Sequence, residues 1–352
     1  TSNLPEPAVK PAENFNTVLW SGDGGSQTIS GVGFQTDFTW VKSRNSTNGH
    51  HLFDAVRGFG SAKSLSTNST QEEGKYDASY GYISSPTSDG FTASAGSSGS
   101  QYSNDGSYTY VSWNWKANGS GSTNTAGSIN TTATSANTAA GFSIITYGGN
   151  GTSGATIGHG LSKAPEFITV KRRSTAGDDW NSYYGDNTDF LRLNGTQATS
   201  DNAAIWNDTS PTSTLISLGN HAEVNSSGET YVAYAFHSVD GYSKIGTYTG
   251  NGSNDGTFVY TGFRPAFVMI KPYTDSGEWP MYDNKRNPTN LTDHLVRANA
   301  SNVESTESDN AEIDMVSNGF KPRGVSGWQN TNGRGYLFIA FAETPFKHSN
   351  AR

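Results

Sequence analysis

One residue pattern occurs three times along this chain, and no other feature constrains the fold as strongly. Phe38-Thr39-Trp40-Val41-Lys42 returns as Phe167-Ile168-Thr169-Val170-Lys171 and as Phe267-Val268-Met269-Ile270-Lys271. A Gly-hydrophobic pair precedes each copy: Gly33-Phe34, Gly160-Leu161 and Gly262-Phe263. An aromatic run closes each: Tyr110-Val111-Ser112-Trp113-Asn114-Trp115, Tyr231-Val232-Ala233-Tyr234-Ala235-Phe236, and Tyr336-Leu337-Phe338-Ile339-Ala340-Phe341. The openings Leu19-Trp20-Ser21-Gly22, Ile145-Thr146-Tyr147-Gly148 and Gly246-Thr247-Tyr248-Thr249-Gly250 also match. Such self-similarity divides 352 residues into three units of about 100 residues each. A feature found in one copy alone is one the scaffold does without elsewhere.

Charged residues are only 15% of the chain while aromatic residues reach 12%, which is not the composition of a disordered chain. Many aromatics, β-branched residues and turn formers point to an all-β protein whose burial rests largely on rings. Short apolar runs alternate with Gly, Asn, Asp and Ser, the rhythm of sandwiches and barrels. Phe38, Trp40 and Lys42 fall on one strand face, Thr39 and Val41 on the other. Asn104-Asp105-Gly106, Ser226-Ser227-Gly228 and Asn332-Gly333 supply turns before the closing strands. The only helix-like window, residues 201–206, is too short to stand alone.

The expected organisation is therefore three tandem antiparallel β-sandwich repeats behind an amino-terminal arm. Pro5, Pro7 and Pro11 make residues 1–14 an extended arm. The repeats occupy residues 15–117, 142–239 and 240–352, and residues 118–141 form a linker and hairpin. The linker is flexible by composition, and the hairpin turns at 137–141 into a strand at 142–147.

A net charge of −8 argues against a phosphate-reading nucleic-acid binder, which needs clustered Lys and Arg. No apolar run is long enough to span a membrane, and the first residues lack a signal-peptide pattern. The absence of cysteine removes disulfides and thiolate metal sites.

Few residues carry a chemical signal. Glu312-Ile313-Asp314-Met315-Val316-Ser317 has the start of a laminarinase-type motif, but Ser317 stands where the acid/base Glu belongs. Without a second carboxylate the leaving group has no proton donor. The expectation is no catalytic residue, with a glucanase as a remote alternative. His50-His51 point to opposite faces of a strand and suit no shared metal. His159 lies in a Gly-His-Gly loop and is expected to be solvated. Asp54 with Arg57, echoed by Asp283 with Arg286, suggests structural ion pairs within a repeat. Residues 251–256 could hold Ca²⁺ through turn oxygens, although a plain turn is favoured and no cofactor is otherwise expected. Asn-x-Ser/Thr triplets such as Asn45, Asn68 and Asn251 matter only in a glycosylating pathway. Trp180 and Trp279 occupy matching places and are expected in the core. Trp206 and Trp328 lie near turns and are the candidates for stacking on a sugar.

Longer motifs carry a resemblance. Asn14-Phe15-Asn16-Thr17-Val18-Leu19, Gly31-Val32-Gly33-Phe34-Gln35, the strand from Phe38 through Ser43-Arg44, and His51-Leu52-Phe53-Asp54-Ala55-Val56-Arg57-Gly58 resemble virion proteins of tailed bacteriophages, common in marine phages. So do Ser88-Asp89-Gly90-Phe91, the first closing run through Lys116-Ala117, residues 258–271, and the ending 341–346 with 350–352. That family is of unknown function and is described as having a concanavalin A-like lectin/glucanase fold. The resemblance implies concanavalin A-like or jelly-roll-like sandwiches and a virion location after assembly in the host cytoplasm. It implies other virion proteins as partners and, by family habit, a homo-oligomer such as a trimer. The expected role is a tail-associated fibre or receptor-binding protein contacting host glycans; a capsid decoration or head-fibre protein is the alternative. It brings no catalytic residues.

Overall fold

The computed structural model describes residues 9–305 and 310–343. Over these residues the protein is all-β, with six antiparallel sheets, three large and three small. The large sheets repeat one strand order. In each, the opening strand pairs with the closing strand, the closing strand with the lysine strand, and the lysine strand with the strand that follows it. In the first copy these are Phe15–Ser21, Thr109–Trp115, Phe38–Ser43 and His50–Asp54. In the second they are Phe142–Gly148, Thr230–Phe236, Phe167–Arg172 and Asn181–Tyr183. In the third they are Ser243–Thr249, Gly335–Ala342, Pro265–Pro272 and Pro280–Asp283. The lysine strands and closing strands are central and buried on both faces, as apolar residues on both faces require.

Hydrophobic burial is divided between one shared cluster and three private ones. Val18, Val41, Phe53, Phe91 and Tyr110 pack within the first copy, Ile145, Val170, Ile216 and Tyr231 within the second, and Tyr248, Val268, Phe320 and Tyr336 within the third. The shared cluster takes Phe38, Trp40, Trp113 and Trp115 from the first copy, Phe167, Tyr234 and Phe236 from the second, and Phe267, Met269, Ile339 and Phe341 from the third. The last aromatic of each closing strand marks its centre. Trp115 lies 5.5 Å from Phe341 and 6.3 Å from Phe236, and Phe236 lies 6.0 Å from Phe341. One face of every large sheet is thus buried against the other two copies, and a copy alone would leave that face in water.

The end of each closing strand repeats a further device. The hydroxyls of Tyr110, Tyr231 and Tyr336 accept the backbone N–H of Asp105, Ser226 and Thr331 at 2.7–2.8 Å. Just before them, buried Asn104, Asn225 and Asn330 bond the glycine-containing loops that follow the opening strands. A methyl group on Gly22, Gly149 or Gly250 would lie 2.1, 2.2 or 2.4 Å from a backbone carbonyl oxygen of this turn. The three glycines are present because two backbones approach each other there.

Two expectations change. Within the amino-terminal arm, Pro5 and Pro7 lie outside the described residues. Pro11–Glu13 is a 3-10 turn, and Val9 is buried in the shared core, so this stretch is docked and not extended. The linker is likewise laid down as packed chain. Ser122 and Thr134 exchange backbone hydrogen bonds at 3.1 and 2.7 Å. Gly121 and Gly127 leave no room for a Cβ against Thr134 and Thr156. Glycine serves close approach here, where composition alone suggested flexibility. The strand after it, Ala133–Asn137, pairs with Phe142–Gly148 as a hairpin. Window 201–206 contains the single helical turn Ala203–Trp206.

Candidate functional site

The sequence candidates are dispersed. Trp206 ends its helical turn inside the second copy's private core, 2% exposed and edge-on to Tyr183 at 6.0 Å. No ring face is open to a sugar, and the stacking role expected of Trp206 is corrected to a packing role. Trp328 is half-buried, and the Arg297 guanidinium covers one face at 4.5 Å. Trp180 and Trp279 are fully buried, as their matching places required. His159 is also buried, contrary to its loop context. Its Nδ1 accepts the Leu161 N–H, and its Nε2 faces the Thr212 carbonyl at 3.1 Å.

Glu312 and Asp314 flank core residues Ile313 and Met315 at the edge of a small sheet. Asp314 is paired with Arg323 at 3.2 Å. In the 251–256 turn, Asp255 is engaged by Lys321 and Arg323, whose hydrogen bonds and charge hold its carboxyl below the ordinary range. Asn330 pins the same turn, as its equivalents do in the other copies. Among the described residues no group of three His, Asp or Glu side chains could hold a metal.

What the structure brings together instead is a cycle of contacts between copies, built from equivalent positions. Lys42, Lys171 and Lys271 are fully buried; Lys42 pairs with His50 across its strands, and Trp180 and Trp279 stand at the matching place just before Asn181–Tyr183 and Pro280–Asp283. Each of those rings reaches a backbone carbonyl of the preceding copy in the cycle. Trp180 donates to Ser66 at 2.9 Å and Trp279 to Arg192 at 3.0 Å. His50 Nε2 meets Arg297 at 2.9 Å. The Trp40 indole donates to His50 Nδ1 at 2.8 Å, so Nδ1 is the acceptor and Nε2 carries the proton. Second copy thus lies on first, third on second, and first on third.

The seams share these backbone bonds but differ in charge. On the first seam, Asp54 accepts Arg57 Nε at 2.5 Å, and Arg57 continues to Glu73 at 3.1 Å. Arg173 of the second copy also takes Glu73, at 2.7 Å, and Tyr234 donates its hydroxyl to Asp54 at 2.7 Å. The seam between first and third copies repeats the set with Asp283, Arg286, Glu304, Arg44 and Trp113. Burial opposes the charge of Arg57 and Arg286, but Asp54 and Asp283 beside them hold both guanidiniums above their ordinary range. Burial likewise tends to raise the Glu304 carboxyl, and Arg44 and Arg286 keep it lowered.

The seam between second and third copies carries none of this. Tyr184 stands at the Asp54 position, Thr199 at Glu73, Tyr273 at Arg173 and Ile339 at Tyr234, as the shared strand registers place them. Tyr184 and Tyr273 pack ring to ring at 5.5 Å.

The sequence signalled Asp54–Arg57 and Asp283–Arg286 through their spacing, but not Glu73, Glu304, Arg44 or Arg173. No local pattern joins residues a hundred or more positions apart.

One exposed aromatic surface lies outside the sequence candidates. Tyr76 and Tyr80 bracket the helical turn Asp77–Tyr80 of the first copy and are 53% and 36% exposed. Their rings lie 6.4 Å apart, Tyr80 lies 5.5 Å from Tyr102, and Tyr102 stacks on buried His51 at 3.9 Å. The i, i+4 spacing of Tyr76 and Tyr80 was the available signal, masked by the absence of any helical periodicity around it.

No curated protein and no solved structure shows a significant match to the chain. One family model spans all three copies together: the chain belongs to the family described as a domain of unknown function, DUF7483, which matches residues 10–345.

Proposed function

We propose that this chain is a non-catalytic structural protein of a tailed-phage virion, a tail-associated fibre or receptor-binding component that contacts host surface glycans. In this reading the three copies are β-sandwich units joined around a common centre, so that one chain takes the place of a trimer. The observation that carries it is the closed cycle of seams, two of which commit charged groups to contacts between copies. The phage-like strand motifs of the sequence supply the virion assignment. Asp314 engaged by Arg323, and serine at 317, support a chain that does not hydrolyse glycans.

The same cyclic arrangement favours a second reading, a capsid decoration or head-fibre protein seated on a local three-fold site of a shell. Quantitative mass spectrometry of purified virions separates the two. Tens of copies or fewer per particle mean tail, and hundreds mean capsid; absence from the particle overturns both. Hydrolysis of β-glucan that disappears with Glu312→Gln would restore the glucanase alternative.

A further inference from the structure

Resting on that reading, we propose that the Tyr76–Tyr80–Tyr102 surface of the first copy is a carbohydrate site that stacks a pyranose ring of a surface polysaccharide. Tyr76 adopts φ +71°, a left-handed conformation that costs free energy for a residue with a large side chain. Glycine would occupy this position without strain. The Lys75 ammonium lies over the Tyr76 ring at 5.3 Å, yet the ring remains one of the most exposed apolar groups of the first copy.

The backbone beneath the rings is held rigidly. The fully buried Asp77 carboxylate accepts the N–H groups of Ala62, Lys63 and Ser64 at 2.8–2.9 Å. A second segment is strapped to the turn: Ser97, Ser98 and Tyr102 donate their N–H groups to Ala78, Ser79 and Tyr80, each at 2.9 Å. A methyl on Gly96 would lie 2.3 Å from the Ser79 backbone. A backbone held in place before binding loses little freedom on binding.

The chemistry of the surface selects the ligand. Its open groups are phenol rings rimmed by Ser97 and Ser98, with the Lys75 ammonium over the Tyr76 ring at 5.3 Å and no exposed Leu, Ile, Val or Met beside them. A pyranose offers the matching pair, an apolar C–H face for the rings and hydroxyls for the rim. Base stacking with phosphate capture needs a spare cation, and Lys75 is tied to Glu72 at 2.9 Å. The second copy turns its helical turn inward through Trp206, so the surface belongs to the first copy and not to the shared scaffold.

The test uses the whole chain on an array of gluco-, galacto-, manno- and N-acetylhexosamine oligosaccharides, with melting temperature recorded in parallel. Retention on at least one class is expected. Tyr76→Gly and Tyr80→Ala should weaken it about tenfold, and Tyr76→Phe, which keeps the ring, should change it little. Tyr76→Gly should also raise the melting temperature by relieving the left-handed strain, so lost binding cannot be ascribed to unfolding. Undiminished retention by Tyr76→Gly and Tyr80→Ala overturns the site and leaves host-glycan contact standing. A silent array overturns the site and the glycan contact together, while virion copy number tests the structural role separately.

Discussion

Two seams of this molecule carry buried carboxylate–arginine chains and the third carries paired tyrosines in their place, although all three are built on the same strands. Where Asp54 and Asp283 sit, each faces a donor from another copy, Tyr234 or Trp113, and each is flanked by an arginine–glutamate chain. Where Tyr184 replaces the acid, Ile339 takes the donor's place, Thr199 the glutamate's and Tyr273 the arginine's. Either complete set satisfies its groups. A buried carboxylate without its arginine, or an arginine without its acid, would leave an uncompensated charge. The three seams thus hold two solutions at one place, and none of them holds a mixture.

The largest expected effect comes from forcing such a mixture. Arg57→Met strands Asp54 in the core and should cost about 3–5 kcal/mol in chemical denaturation. Tyr184→Phe, on the tyrosine seam beside Tyr273, removes a long 3.3 Å hydrogen bond to Asp189 and should cost about 1 kcal/mol. Equal losses would show that the two seams do not differ in kind. Next in size is the donor that crosses the seam. Tyr234→Phe removes a hydrogen bond to a buried carboxylate and should cost about 1.5–3 kcal/mol. Its counterpart Ile339→Val should cost about 0.5–1.5 kcal/mol.

The lysines are common to every copy and report on burial independently of seam type. Burial pulls Lys42 and Lys271 down to about 7 and Lys171 to about 8, from an ordinary 10.5. Between those values the unfolded chain binds more protons than the folded one, so stability rises with pH. Buried tyrosines, whose hydroxyls burial pushes up, reverse the trend above about pH 10. Lys271 alone should contribute a gain of about 2 kcal/mol between pH 7.5 and 9.5, read as the flattening of the profile in Lys271→Met.

The smallest effect distinguishes the closing contact of the cycle, where histidine stands in place of tryptophan. Burial, then the nearby Lys42 charge, holds His50 well below its ordinary 6.5. As pH falls through 6.5 the unfolded chain takes up the proton first, and stability is lost. A proton on Nδ1 would also oppose the Trp40 N–H. At pH 5.5 the wild type should have lost about 1 kcal/mol more than His50→Gln, relative to pH 7.5. Identical acid limbs for the two proteins would remove His50 as the titrating contact.

Much of the local structure was legible in the sequence. The threefold pattern, the β class, the turns before the closing strands and the paired Asp–Arg spacings follow from propensity, period and steric demand, which act over a few residues. Tryptophans were less legible: Trp180 and Trp279 were placed by their equivalence, whereas Trp206 was misjudged because turn proximity does not reveal which way a ring faces. His159 and the linker glycines failed for the same reason, since local composition cannot tell solvent from a packed neighbour.

Sequence alone determined that three like stretches of alternating aromatic strands would form, because alternation and turn chemistry are read within each stretch. Tertiary structure decided that the three would share one aromatic centre and close in a cycle. That outcome depends on free energy gained only when distant faces meet: Phe341 against Phe15 at 4.9 Å, Glu304 between Arg44 and Arg286, and the His50 ring on the Arg297 carbonyl. No residue carries a mark of a partner more than two hundred positions away, so only the folded chain could assign one.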